Sequence, residues 1–111
     1  ARKDDYVVQL MNIQRKGGSR EEQLVERLLT SAMIEARSCE RFRLLSLHCS
    51  DEYLRNFYHE FMVSEAGHYT LFINLAYEYA DKEYVKKRWQ EFLEAEAEIM
   101  KNLEQRGDRF H

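Results

Sequence analysis

Three apolar stripes at helical spacing, with no proline anywhere in 111 residues, constrain this chain more than any other feature. Proline removes a backbone donor and clashes with the preceding turn, so its absence leaves long helices uninterrupted. The first stripe is Val25, Leu28, Ala32, Glu35, Cys39 and Phe42. The second is Leu54, Tyr58, Phe61, Glu65, His68, Phe72, Leu75 and Tyr79, and the third is Val85, Trp89, Phe92, Glu96, Ile99 and Leu103. Each advances by alternating steps of three and four, the period of one helix face. No segment alternates with the period of two that a half-buried strand needs. The chain is expected to be all-α.

Local signals mark where the helices begin. Ser19 stands three residues before Glu22, the capping-box spacing, directly after a Gly17-Gly18 breaker. The first long helix is expected over about Ser19 to Leu47. Ser50 or Asp51 caps the second, which runs to about Tyr79, and Asp81 caps the third. Gly107 is its expected terminator, with a short tail from Asp108 to His111. Upstream, Tyr6 to Ile13 forms a short helix through Val7, Leu10 and Met11. Short connections make consecutive helices antiparallel neighbours. A closed four-helix bundle needs one more long helix than these residues supply.

Composition narrows the setting. With 44% apolar and 33% charged residues, and no apolar run of membrane-spanning length, a soluble cytoplasmic protein without a membrane partner is expected. Cys39 and Cys49 fit no metal-finger or redox spacing, and reduced thiols suit such a chain. The net charge of −3 gives no global attraction for nucleic acid. Basic clusters at Arg15, Lys16 and Arg20, and at Lys86, Lys87 and Arg88, are expected as solvated helix faces.

The informative residues are those that interrupt the stripes. Glu65 and His68 occupy consecutive stripe positions between Phe61 and Phe72. Burying an unpaired ion costs several kcal/mol, so such a carboxylate needs compensation, which a cation provides directly. Glu-x-x-His places both side chains one turn apart on one face, within reach of one metal. Glu35 breaks the preceding stripe in the same way, thirty residues earlier, far enough for a turn and a return to the same level. Glu40 is the competing ligand on that helix; its alternative role is an ion pair with an Arg of a neighbouring helix. Glu96 also interrupts a stripe but lacks the following His, and Glu94, Glu96 and Glu98 are expected to form a charged surface with Lys101. Cys39 is expected as a small buried apolar residue. His59-Glu60 opens like a zinc-protease motif, but Val63 stands where its second His is required.

A Glu from each of two helices and Glu-x-x-His from each of two others is the ligand pattern of ferritin-like di-iron carboxylate bundles. The run Ile34-Glu35-Ala36-Arg37-Ser38-Cys39-Glu40-Arg41-Phe42 resembles a signature of the bacterial tRNA 2-methylthio-isopentenyladenosine hydroxylases. So do Leu24 to Leu29, Phe57-Tyr58, the run Ser64 to Tyr69, and the closing Arg109-Phe110-His111. The resemblance implies a ferritin-like four-helix bundle, of which this chain supplies about half: two metal-site helices and a C-terminal helix. It implies residues 1–18 as a connector and 19–111 as the C-terminal half of the bundle domain. Glu35, Glu65 and His68 would then be metal ligands of a non-haem di-iron centre that uses O2. The substrate would be a hypermodified adenosine beside a tRNA anticodon, with an electron-donor reductase as partner. The other Glu and Glu-x-x-His would lie in an N-terminal half that precedes Ala1, and the 111 residues alone are expected to be inactive. Gly67 departs from the larger basic residue of the family pattern. Two other readings stay open: a homodimer of half-sites acting as a stand-alone oxidase, peroxidase or iron-binding module, and a purely structural bundle in which Glu65 and His68 pair with buried Arg residues.

Overall fold

The computed structural model describes residues 2–105, with side chains from residue 5 onward, and among these residues there is no strand. Helix α1 spans Arg2–Asn12, α2 Arg20–His48, α3 Glu52–Tyr79 and α4 Lys82–Gln105. Helix α1 begins earlier than its apolar pattern, while the bounds of α2 and α3 follow the sequence signals within a residue or so. The expected terminator Gly107 and the tail after it lie outside the described residues.

Side chains fix each start. The Ser19 hydroxyl accepts the Glu22 N–H at 3.0 Å while the Glu22 carboxylate accepts the Ser19 N–H at 2.8 Å, closing the capping box. Gly17 and Gly18 precede it with φ of +81° and +82°, a region that side chains with a Cβ rarely occupy. Asp51, rather than Ser50, caps α3 by accepting the Leu54 N–H at 3.0 Å. The Asp81 carboxylate accepts N–H groups of Glu83 and Tyr84 at the start of α4.

Helices α2 and α3 form an antiparallel hairpin, and α4 turns back beside it. The buried core gathers Tyr6 and Leu10 of α1, Val25, Leu29 and Met33 of α2, Ala76 of α3, and Val85, Phe92, Ile99 and Leu103 of α4. The α2 and α3 members lie where the first half of α2 meets the last part of α3, and the α4 members run along that helix from Val85 to Leu103. Tyr69 stacks on Trp89 with ring centroids 5.9 Å apart, tying α3 to α4. At the other end the hairpin holds itself together with an aromatic group, Phe42 of α2 against Tyr58 and Phe61 of α3.

Two ion pairs cross between α2 and α4, one buried and one part-buried. Arg88, expected on a solvated face, is only 5% exposed. Its guanidinium donates to both Glu26 oxygens at 2.8 and 2.7 Å and to the Ile13 carbonyl at 2.8 Å. Glu96, expected at a charged surface, is only 3% exposed. It accepts two hydrogen bonds from Arg37 at 2.9 and 2.8 Å and one from the Tyr6 hydroxyl at 2.9 Å. The reason for both corrections is the same: the residues sit on the core-facing stripe of α4, and each finds a bidentate partner of opposite charge there. The neighbouring Glu94 and Glu98 are exposed, as expected.

The stripe of α3 is corrected too. Leu54, Phe61, Leu75 and Tyr79 are exposed, and Phe61 keeps 42% of its surface. Tyr58 and Phe72 are half-buried against α2. A stripe this wide covers one neighbour on its flank and presents the rest outward, because α4 does not lie over it.

Two stability outcomes follow from this packing. Helix α3 runs unbroken through Gly67, and a Cβ there would meet nothing within 4 Å. Gly67→Ala should therefore stabilise the chain by about 0.5–1 kcal/mol, seen as a higher thermal midpoint. Arg88→Met alone should cost about 3–5 kcal/mol, because it strands a buried carboxylate, and Glu26→Leu/Arg88→Met should recover most of that loss in chemical denaturation.

Candidate metal centre

The hairpin brings together the three residues singled out from the stripes. Glu35 lies past the middle of α2 and Glu65 and His68 near the middle of α3, and one ligand atom from each falls within 4.8 Å of the others. His68 Nδ1 is 3.3 Å from Glu65 Oε1, one turn back on the same helix, and 3.9 Å from Glu35 Oε2 across the hairpin. The helix period explains the first distance, and the antiparallel register explains the second. That register is set on the far side of the site by the Cys39 thiol donating to the Met62 carbonyl at 3.5 Å and by Phe42 against Phe61. Glu65 and Glu35 are largely covered, at 18% and 25% side-chain exposure, whereas His68 is open at 55%.

The electrostatics record an unbalanced charge. Glu35 is held above the ordinary carboxylate range, first by the Glu65 carboxyl that shares a hydrogen bond with it, then by burial and by the Glu65 charge. His68 pulls weakly the other way. Two carboxylates and an imidazole suit first-row divalent metals, and three protein donors leave coordination positions open. The donor set therefore fits a metal on the open face of α3.

Other candidates are placed elsewhere. Glu40 pairs with Arg43 of its own helix at 2.6 Å, not with an Arg of a neighbouring helix, and that bond holds its carboxyl below the usual range. Cys39 is half-buried, and burial followed by Glu40 and Glu65 pushes its thiol up, which suits a packed thiol rather than a reactive one. Glu96 is turned away from the site into its pair with Arg37. No described Arg pairs with Glu65 or His68, which counts against the purely structural reading. The Arg37–Glu96–Tyr6 group was not anticipated from sequence. Its signal was available in Glu26, Thr30, Met33 and Arg37, a second face of α2 at steps of four, three and four.

A helical hairpin that faces two carboxylates and an imidazole across its seam, within an all-α chain, is a ferritin-like arrangement. The chain belongs to the family described as tRNA-(MS[2]IO[6]A)-hydroxylase (MiaE), whose model matches residues 2–111. It is 42% identical over 88 residues to a Pseudomonas putida (strain KT2440) protein named tRNA 2-(methylsulfanyl)-N(6)-isopentenyladenosine(37) hydroxylase, a match covering 79% of this chain and 42% of that protein. A Salmonella typhimurium (strain LT2) protein of the same name is 39% identical over 88 residues, covering 79% of this chain and 32% of the relative. The matched segment thus spans less than half the length of these relatives. No helix of the described residues is long and apolar enough to cross a membrane.

The raised Glu35 gives a pH signature. A carboxyl that holds its proton more tightly when folded contributes fully below the unfolded carboxyl range, and ionising it removes stability as pH rises through its raised value. Metal-free Glu35→Gln should therefore melt above the unsubstituted chain at pH 7 and close to it at about pH 4, where the carboxyl is protonated anyway. Scanning calorimetry at the two pH values checks the difference.

Proposed function

We propose that this chain is the C-terminal half of a tRNA hydroxylase, acting on the isopentenyl group of 2-methylthio-isopentenyladenosine, and that Glu35, Glu65 and His68 are half of its metal ligands. The observation that carries the reading is the convergence of these three side chains across the α2–α3 seam, in a chain matched along nearly its whole length by the family. In this reading residues 1–18 connect the halves, and residues 19–111 complete the bundle domain.

When bound, a non-haem di-iron centre supplies reduction of O2 and insertion of one oxygen atom into a C–H bond, with electrons from a reductase. This chain's own residues do the holding and shaping. Glu35 and Glu65 would offer hard anionic oxygens from two helices to a bound cation, which would offset their negative charge. His68 would offer a ring nitrogen from the open side. Phe61 and Phe72, one turn to either side of Glu65 and His68, give the site apolar walls that exclude water once the face is covered. The exposed stripe of α3 is where an upstream half with a second Glu and Glu-x-x-His would pack, completing the ligand set.

The test is to join the chain to the upstream half of the Pseudomonas putida relative and assay tRNA from a strain lacking the hydroxylase. Mass spectrometry should find the modified adenosine gaining one oxygen. Glu35→Ala, Glu65→Ala and His68→Ala should each lower that yield by more than about 100-fold, beyond the loss typical of outer-shell changes. The isolated 111-residue chain should give no product. Hydroxylation by that chain alone, as a dimer in light scattering, would sink the half-protein reading in favour of paired half-sites.

A further inference from the structure

The Arg37–Glu96 pair lies beside the candidate metal centre without touching it. At 3.6 residues per turn, Arg37 stands about 200° around α2 from Glu35, so one faces α4 while the other faces α3. Glu26 lies on the same side as Arg37, three turns earlier, where Arg88 holds it. Among the described residues, Met33 is the last buried side chain of α2. Beyond it, at the level of the site, the tie to α4 is made by Arg37, through two hydrogen bonds to a carboxylate that Tyr6 of α1 also holds.

We propose that Arg37 is a positioning residue for the metal centre: its two-point bond to Glu96 fixes the rotation of α2 so that Glu35 stays aimed at Glu65 and His68. A planar guanidinium on a carboxylate resists rotation as a single hydrogen bond cannot. A ligand held from behind in this way binds metal without first being reoriented. The inference rests on the proposed metal role of Glu35, Glu65 and His68.

The experiment compares Glu96→Gln and Arg37→Met/Glu96→Leu with Glu26→Leu/Arg88→Met in the 111-residue chain, below the melting temperature of each. The double variants replace an ion pair by apolar volume, and Glu96→Gln is the mild change that keeps the fold if a double variant does not. Two readouts are taken: cobalt(II) affinity from visible absorption, and the metal-free nuclear Overhauser contact between the Glu35 side chain and the His68 ring. Both changes at the Arg37 pair should weaken cobalt binding about tenfold, on the scale of outer-shell losses, and diminish the Glu35–His68 contact. Glu26→Leu/Arg88→Met should leave both readouts within twofold, even where it lowers the melting temperature as much. Unchanged contact and affinity in folded Glu96→Gln would overturn the proposal. If the unsubstituted chain binds no cobalt, the metal reading fails, and the Glu35–His68 contact alone decides whether Arg37 aims Glu35.

Discussion

Two ion pairs of opposite polarity between α2 and α4, one buried and one part-buried, fix how α4 lies along α2. Glu26 of α2 meets Arg88 of α4, and eleven residues on, Arg37 of α2 meets Glu96 of α4. The order of partners makes the two helices parallel. Reversing one helix would set Glu26 against Glu96 and Arg37 against Arg88, leaving two like-charge pairs in a low-dielectric interior. Burial alone would push the Arg37 guanidinium down, but Glu96 and Tyr6 outweigh it and hold the charge. At Arg88 the bonds to Glu26 dominate over burial in the same sense. Pairs like these add little net stability compared with apolar replacements, yet they reject wrong alignments strongly. Their partners fix which way round α4 lies along α2.

The antiparallel register of α2 and α3 brings Glu35, Glu65 and His68 together at their seam, while α4 lies along α2 and touches α3 where Trp89 stacks on Tyr69. The remaining face of α3 carries Leu54, Phe61, Leu75 and Tyr79 outward. Large apolar side chains on a contiguous helix face mark an interaction surface. Phe61 and Leu75 lie on this face two turns to either side of His68.

The matched segment covers 42% and 32% of two relatives, and within it the α2–α3 hairpin is intact. The candidate site is held by the aromatic group around Phe42, the Cys39–Met62 bond and the Arg37 pair. The Glu35 and Glu65 carboxylates face each other there at a cost in stability that ionisation imposes.

The opening stripes carried the helices, their starts and the three candidate ligands. Capping chemistry and the 3.6-residue period are local, so Ser19 with Glu22, Asp51 and Asp81 could be read without knowing any neighbour. Glu35, Glu65 and His68 were readable for the same reason: each stands where the local pattern asks for an apolar residue. What the stripes could not decide is which face meets which partner. A stripe reports that a helix has an apolar side, and α3 shows that such a side can remain open within these residues. Glu96 and Arg88 looked like surface charges because their partners, Arg37 and Glu26, are 59 and 62 positions away in sequence. Sequence alone determined that Glu35, Glu65 and His68 break apolar faces. Only the tertiary structure decided that they meet, because helix rotation is fixed by contacts between distant segments.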